Sequence, residues 1–423
     1  MGATDLGCTG SSFYKTPHID QLARDGVRFT RAYSACTVCS PTRAALLTGK
    51  YPARVHITDW IAGHARPFAK LLPPDWCKEL PASESTLPEV LQTKGYVSGL
   101  FGKWHLGNQP PTDHGFAVNR GGYNRGQPET WFPPYRNPAL TDGPPGEFLT
   151  ERLTAEAEQF MTENRENPFL VYFPHYAVHT PLGGKKEVIE KYRATVREDS
   201  AQRNPVYASM VESVDDSVGR LRAKLKELKL DDRTVFIFTS DNGGLIGGPK
   251  QPITSNLHLR AGKGSAYEGG VRIPLIVYWP GMEKPAATSD TPVITMDLFA
   301  TVTAAAGTAS DTRDGRDLRA LYRGEPAAIA TERPLYWHYP HYHPGGATPY
   351  SAVLSEGWKL IRFHESGKEE LYHSAPDPEE KTNAASSEPE RLKKLSALLD
   401  AWLKETGAQM PVPNPKYDAA RDK

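Results

Sequence analysis

The stretch CSPTRAALLTGKYPAR, from Cys39 to Arg54, sets a cysteine on a turn, a proline two residues later and Arg43 four residues on. RAALLTG then reads as a helix that begins at that turn. A nucleophile at a helix N-terminus sits in a positive local field, and a nearby arginine adds to it. On these residues alone, a buried structural cysteine or a Cys36-x-x-Cys39 redox or zinc pair stays open. A second C-x-x-C for a closed zinc site is absent, and so is a thioredoxin-like context. In GKWHLG, Lys103 and His105 alternate and point to one side of an extended chain, or are a surface lysine beside a half-buried histidine. YFPHYAVHTPL carries His175 and His179 to the edge of a strand, where α/β sites sit. FIFTSDNGG puts Asp241 and Asn242 directly after an apolar strand, with two glycines that let the backbone turn sharply. Such a string is a plain turn or a pair of ligands. As ligands, a carboxylate and an amide oxygen suit a hard cation, Ca²⁺ or Mg²⁺, better than zinc. Lys263 stands between two glycines in LRAGKGSAYEGGVR, as an anion contact or a solvated loop tip.

Taken together these strings resemble the type I sulfatases of the alkaline-phosphatase-like superfamily. C-S-P-T-R followed by A-A-L-L-T-G is similar to their C-x-P-x-R segment and the helix after it. In that family a dedicated formylglycine-generating enzyme oxidises the cysteine to formylglycine. The resemblance therefore implies a formylglycine at Cys39, with Arg43 holding its hydrated aldehyde. One hydrate oxygen takes the sulfuryl group, and loss of the proton on the other expels sulfate by C–O cleavage. GKWHLG resembles the family's G-K-W-H-x-G, which implies that Lys103 binds sulfate or the formylglycine oxygen and that His105 is the base releasing sulfate. His179-Thr180-Pro181 fits its H-x-P, with His179 as general acid or sulfate donor; His175 has no counterpart and reads as structural. GKGSAYEGGVRIP is similar to G-K-G-x-x-Y-E-G-G-x-R-x-P, so Lys263 is expected on the sulfate, with Tyr267, Glu268 and Arg272 supporting its loop. Asp241, Asn242 and the modified Cys39 are the expected metal ligands, the ion being Ca²⁺ or Mg²⁺. ELYHSAPDPEEKTNAA resembles the family's C-terminal E-L-Y-x-L-x-x-D-P-x-E-x-x-N, so the likeness runs over nearly the whole chain.

The family normally opens with a strand ending in D-D-x-G that completes the metal site, whereas MGATDLGCTG matches from just after that pair. The expectation is that Met1 is an internal methionine, with a leader, a strand and the aspartate pair upstream. The alternative is a real truncation that weakens or abolishes metal binding. Localisation is not legible here; the resemblance implies export to a periplasm or the exterior.

The elements that must position these residues alternate short apolar runs with amphipathic segments, the pattern of helices packed on a sheet. FLVYF (169–173), TVFIFTS (234–240) and PLIVYW (274–279) are continuously apolar, as strands covered on both faces should be. Between the first two, Val211, Val214, Val218, Leu221, Leu225 and Leu228 recur at helical spacing. From Pro334 on, PLYWHY, SAVLSEGWKLIRF and EELYHS read as a small antiparallel sheet. A helix follows through Leu392, Leu395, Leu399 and Trp402, with Gly407 placed to end it. The tail beyond is an extended wrap or disordered. The fold expected is α/β: a large central, mostly parallel or mixed sheet flanked by helices (residues 1–330), then a smaller C-terminal sheet with a helix (331–423).

Composition narrows the partners. Fifty basic side chains balance fifty acidic ones, so no net charge draws the chain to nucleic acid or anionic lipid. No apolar run is long enough to span a bilayer, and four cysteines are too few for a disulfide scaffold. The activity expected is hydrolysis of a carbohydrate or aryl sulfate. A phosphatase or phosphonate hydrolase of the same superfamily, or a non-catalytic relative, are the competing readings. WHYPHYHPGG, with His258 and Arg260 nearby, either lines a sugar site or packs on the small sheet.

Overall fold

A computed structural model describes residues 1–248, 251–282, 287–308, 314–322 and 333–422. In chain order the elements that matter here begin with helix α1 (Pro17–Asp25), strand β1 (Val27–Phe29) and helix α2 (Cys39–Thr48). Strands β2 (Val97–Phe101) and β3 (Val118–Arg120), helix α3 (Leu149–Glu163), strand β4 (Phe169–Tyr172) and helix α4 (Pro205–Glu227) follow. Strands β5 (Phe236–Thr239), β6 (Leu275–Tyr278) and β7 (Ala287–Ser289) complete the α/β part.

The central sheet is mixed and comes in two leaves. One leaf has the order β3-β2-β4, all parallel. The other has the order β7-β1-β6-β5, parallel between β1 and β7 and antiparallel elsewhere. The facing edges of the leaves are β4 and β5, and a cavity of about 920 Å³ lies between them, lined by Leu170, Tyr172, Phe236 and Phe238. That is why two strands as apolar as any in the chain are mostly half-buried rather than buried: each has a strand neighbour on one side and the cavity on the other.

Helix α4 holds the leaves from one face. Its N-cap Asn204 accepts from the amides of Val206 and Tyr207 at 3.0 and 3.1 Å, and Pro205 at the first position forfeits no bond the helix would have made. The apolar stripe read from the sequence is its buried face, with Val211, Val214, Val218, Leu221 and Leu225 inside. Each such side chain contributes about 1.5–3 kcal/mol of transfer free energy.

The C-terminal part is an antiparallel meander, β8 (Leu335–Tyr339), β9 (Tyr350–Ser355), β10 (Trp358–Phe363) and β11 (Glu369–His373), covered by helix α5 (Pro389–Glu405). Trp402 of that helix stacks on Tyr336 at 4.6 Å, and Gly407 takes the left-handed φ of 62° that ends it. The meander shares one apolar core with Tyr33, Cys36, Val38 and Tyr51, the segment around Cys39. The boundary expected at 330/331 falls outside the described residues. The tail is an extended wrap: Val412–Pro413 pairs antiparallel with Leu71–Leu72. Among the described residues no helix is long and apolar enough to cross a membrane.

Candidate active site

Cys39 is the first residue of α2, after an extended Val38, and the helix closes on Gly49, whose left-handed φ of 68° lets its N–H reach the Ala45 carbonyl. The thiol is therefore held at a positive helix end. Lys103 follows β2 through Gly102, His179 lies in the segment after β4, and Asp241 and Asn242 follow β5. Chain topology thus delivers side chains from three strand ends to one place, the mouth of the cavity, where Arg43, Lys103, His179, Asp241, Asn242 and Lys263 all take part in the lining. Lys263 arrives from the loop before a short helix, Glu268–Val271. Its Nζ lies 3.7 Å from Cys39 Sγ and 3.3 Å from His179 Nε2.

Burial by itself would push the Cys39 thiol up. The ammonium groups of Lys103 and Lys263, with the imidazoles of His105 and His179, hold it well below the usual thiol range. Burial also brings Lys103 down to about 8, against the pull of Cys39. His179 falls to about 4 through burial and the Lys263 charge, so the ring is neutral. Its Nδ1 lies 2.7 Å from the Thr180 carbonyl and must carry the proton there, which leaves Nε2 to accept from Lys263. His105 is the mirror case. Its Nε2 meets the Ile61 carbonyl, so its buried Nδ1, which has no partner among the described residues, is the free acceptor. Arg43 spends two N–H groups on Asp241, at 3.0 and 2.7 Å, and a third on the Lys103 carbonyl at 2.9 Å. His175, by contrast, stacks on Phe173 with centroids 4.1 Å apart.

The donor set fits a hard divalent cation in kind. Arg43 and other positive neighbours outweigh burial and bring Asp241 down to about 2, so it is ionised. Both bonds from Arg43 fall on Oδ2, which leaves Oδ1 open. Asn242 donates through Nδ2 to the Gly243 carbonyl, while its Oδ1 is buried without a partner among the described residues. A buried amide oxygen with nothing to accept is what a metal ligand looks like before the ion is drawn in. Asp5 is no part of this set: its carboxylate is taken up by Tyr207, Thr254, Gln202 and the Gly2 amide. Elsewhere His18, Asp215 and Asp216 cluster within 4.8 Å, but Asp215 there accepts the first amides of α1.

Several contributors were not apparent from the sequence. Ser40 Oγ donates to the His105 carbonyl at 2.9 Å and accepts from the Ile61 amide at 3.1 Å, tying two loops to the start of α2. Gly126 packs so closely on His105 that a Cβ would lie 2.5 Å from its Cε1. The loop carrying Ile61 is anchored by Asp59, which accepts from Tyr339 Oη and the Trp60 amide, each at 2.8 Å. The Lys263 loop is fastened to the meander by buried Lys359, 3.0 Å from both Glu268 and Glu380, with Arg272 also on Glu268. Arg260 stacks on Tyr267 at 3.7 Å and donates to Tyr372.

Comparison with known proteins identifies a family. The family model "Sulfatase" matches residues 1–308, and "N-sulphoglucosamine sulphohydrolase, C-terminal" matches 261–409. The N-acetylgalactosamine-6-sulfatase of Sus scrofa is 35% identical over 371 residues, taking in 80% of this chain and 66% of the relative. The chain thus spans just under two thirds of that protein's length. A sulfatase of Formosa agariphila is 28% identical, over 100% of this chain and 91% of its own. Among solved structures, Ps i-CgsB in complex with k-i-k-neocarrahexaose superposes with a TM-score of 0.79 at 27% identity, covering 99% of this chain and 93% of that one.

Proposed function

The chain belongs to the sulfatase family, and on that premise we propose that it is a sulfuric-ester hydrolase acting on a sulfated carbohydrate or aryl sulfate. The carrying observation is the setting of Cys39: a low-pKa sulfur at a helix N-terminus, with two ammonium groups and two imidazoles around it. The names of the relatives favour a carbohydrate ester.

In this reading a formylglycine-generating enzyme converts Cys39, whose hydrated aldehyde supplies one oxygen to attack sulfur and a second to let sulfate leave. Lys103 and Lys263 hold the sulfate oxygens and stabilise the charge that grows on them. His179 Nε2 accepts from the Lys263 ammonium, so the proton that the departing alkoxide needs passes from Lys263 to His179 Nε2 and on to the leaving oxygen. His105 takes the proton from the second hydroxyl through Nδ1, the nitrogen that Ile61 leaves free. Arg43 keeps Asp241 ionised and oriented. Asp241 and Asn242 would hold a divalent cation, Ca²⁺ or Mg²⁺, which neutralises sulfate charge and polarises the attacking oxygen.

The test is the mass of the tryptic peptide from Ala32 to Arg43, made in a host that contains the modifying enzyme. An aldehyde at Cys39 is expected; thiol alone would overturn the reading. Turnover of one aryl group as its sulfate and as its phosphate decides against the phosphatase alternative, and faster phosphate cleavage would reverse the assignment.

A further inference from the structure

The segment from Trp337 to Gly346 carries six aromatic or imidazole side chains, and five of them are already engaged. Trp337 donates to the Ser34 carbonyl at 2.8 Å. His338 uses both ring nitrogens, on Ser351 and the Gln409 carbonyl. Tyr339 is on Asp59, His341 on Thr58 and Tyr342 on Glu365. His343 differs. Its Nδ1 accepts the Gly345 amide at 2.9 Å, which puts the proton of a neutral ring on Nε2, and nothing among the described residues pairs with that nitrogen. The side chain is nevertheless only 9% exposed.

What surrounds the ring is the site already described. His343 lies flat on Gly264, whose φ of 88° and missing Cβ make room for it; a Cβ there would overlap the imidazole. Gly264 adjoins Lys263, which touches Cys39 and His179. Resting on the sulfatase reading, we infer that His343 recognises the alcohol side of the ester, its Nε2–H donating to a hydroxyl or ring oxygen of a sugar whose sulfate sits at Cys39 and Lys263. Burial and the Lys263 charge hold the ring near pKa 4, hence neutral. A neutral N–H suits a sugar oxygen, whereas an imidazolium would favour a second anionic group. An N–H donor placed there favours ligands that offer it an oxygen over those that offer none.

The experiment compares the wild type with His343→Ala, His343→Phe and His343→Gln on N-acetylgalactosamine 6-sulfate, a sulfated galactan oligosaccharide and 4-nitrophenyl sulfate. For the sugar esters, kcat/KM of the alanine variant is expected to fall about tenfold, chiefly through KM, the size of one neutral hydrogen bond. The aryl ester should be cleaved within about twofold of wild type, since the hydrogen bond at issue is absent there. Glutamine, which restores an N–H donor, should recover the sugar esters to within about threefold. The phenylalanine variant keeps the volume and decides the matter if the alanine chain does not fold. Equal losses on sugar and aryl esters, or no loss on either, overturn the inference while leaving the sulfatase reading standing. So does a wild type that cleaves the aryl ester and no sugar ester. A wild type that cleaves no sulfate ester overturns both.

Discussion

Gly126 shows how narrow the tolerances are around a single imidazole. Its backbone lies against His105, and an added methyl would stand 2.5 Å from Cε1 and 2.7 Å from Nδ1, closer than carbon atoms approach in folded proteins. Gly126→Ala must therefore tilt the ring, because the Ile61 carbonyl blocks its other edge. Turnover of a sulfate ester is expected to fall about 10- to 100-fold from a shift of this size. The overpacking itself should cost about 1–3 kcal/mol in denaturant titration. Unchanged kcat would mean that His105 has room to spare. At this scale the sequence was informative wherever chemistry-bearing residues sit in short local strings. Cys39 with Arg43, Lys103 with His105, and Asp241 with Asn242 could each be picked out within a few residues, and Arg43, Lys103, Asp241 and Asn242 line one cavity. Gly126 and Asp59 could not be picked out, because what each does depends on a partner far away in the chain: Asp59 meets Tyr339 across 280 positions. His343 was legible only as one of several rings in WHYPHYHPGG, with nothing in the string to set it apart.

The loop from Thr58 to His64 is held by a strand it does not adjoin in sequence. Tyr339, the last residue of β8, clamps Asp59, and the same loop presents Ile61 to His105. The meander therefore reaches that loop through one carboxylate. Burial raises that carboxyl from 3.8 to about 7. A carboxyl whose folded value lies above its unfolded one favours the fold while protonated in both states, and that stability is lost as pH rises from about 4 to about 7. Wild type should thus lose, relative to Asp59→Asn, on the order of 4 kcal/mol across that window. Urea titrations of both proteins at pH 4 to 7 measure the difference directly, and parallel curves would refute it. Elements of some length were legible because periodicity marks them: α4 and α5 from their apolar stripes, the meander from alternating short runs and turns. The two- and three-residue pairings were not. Val27–Phe29 and Leu71–Leu72 are too short to carry a period, and their pairing is decided by partners more than two hundred residues away.

At the scale of the whole molecule the α/β class was readable and the strand order was not. Strand order is set by how helices cover the two leaves, and apolar strands of equal quality carry no label saying which neighbour each will have. The division into two leaves has a consequence for the site. β4 runs out toward His179 and β5 toward Asp241 and Asn242, so these side chains ride on different leaves. Helix α4 packs on both, with Val214 and Val218 against Phe238 and Ile276, and with Leu221 and Leu225 against Phe101 and Phe169. The distance between those side chains is therefore set by a helix that carries none of them.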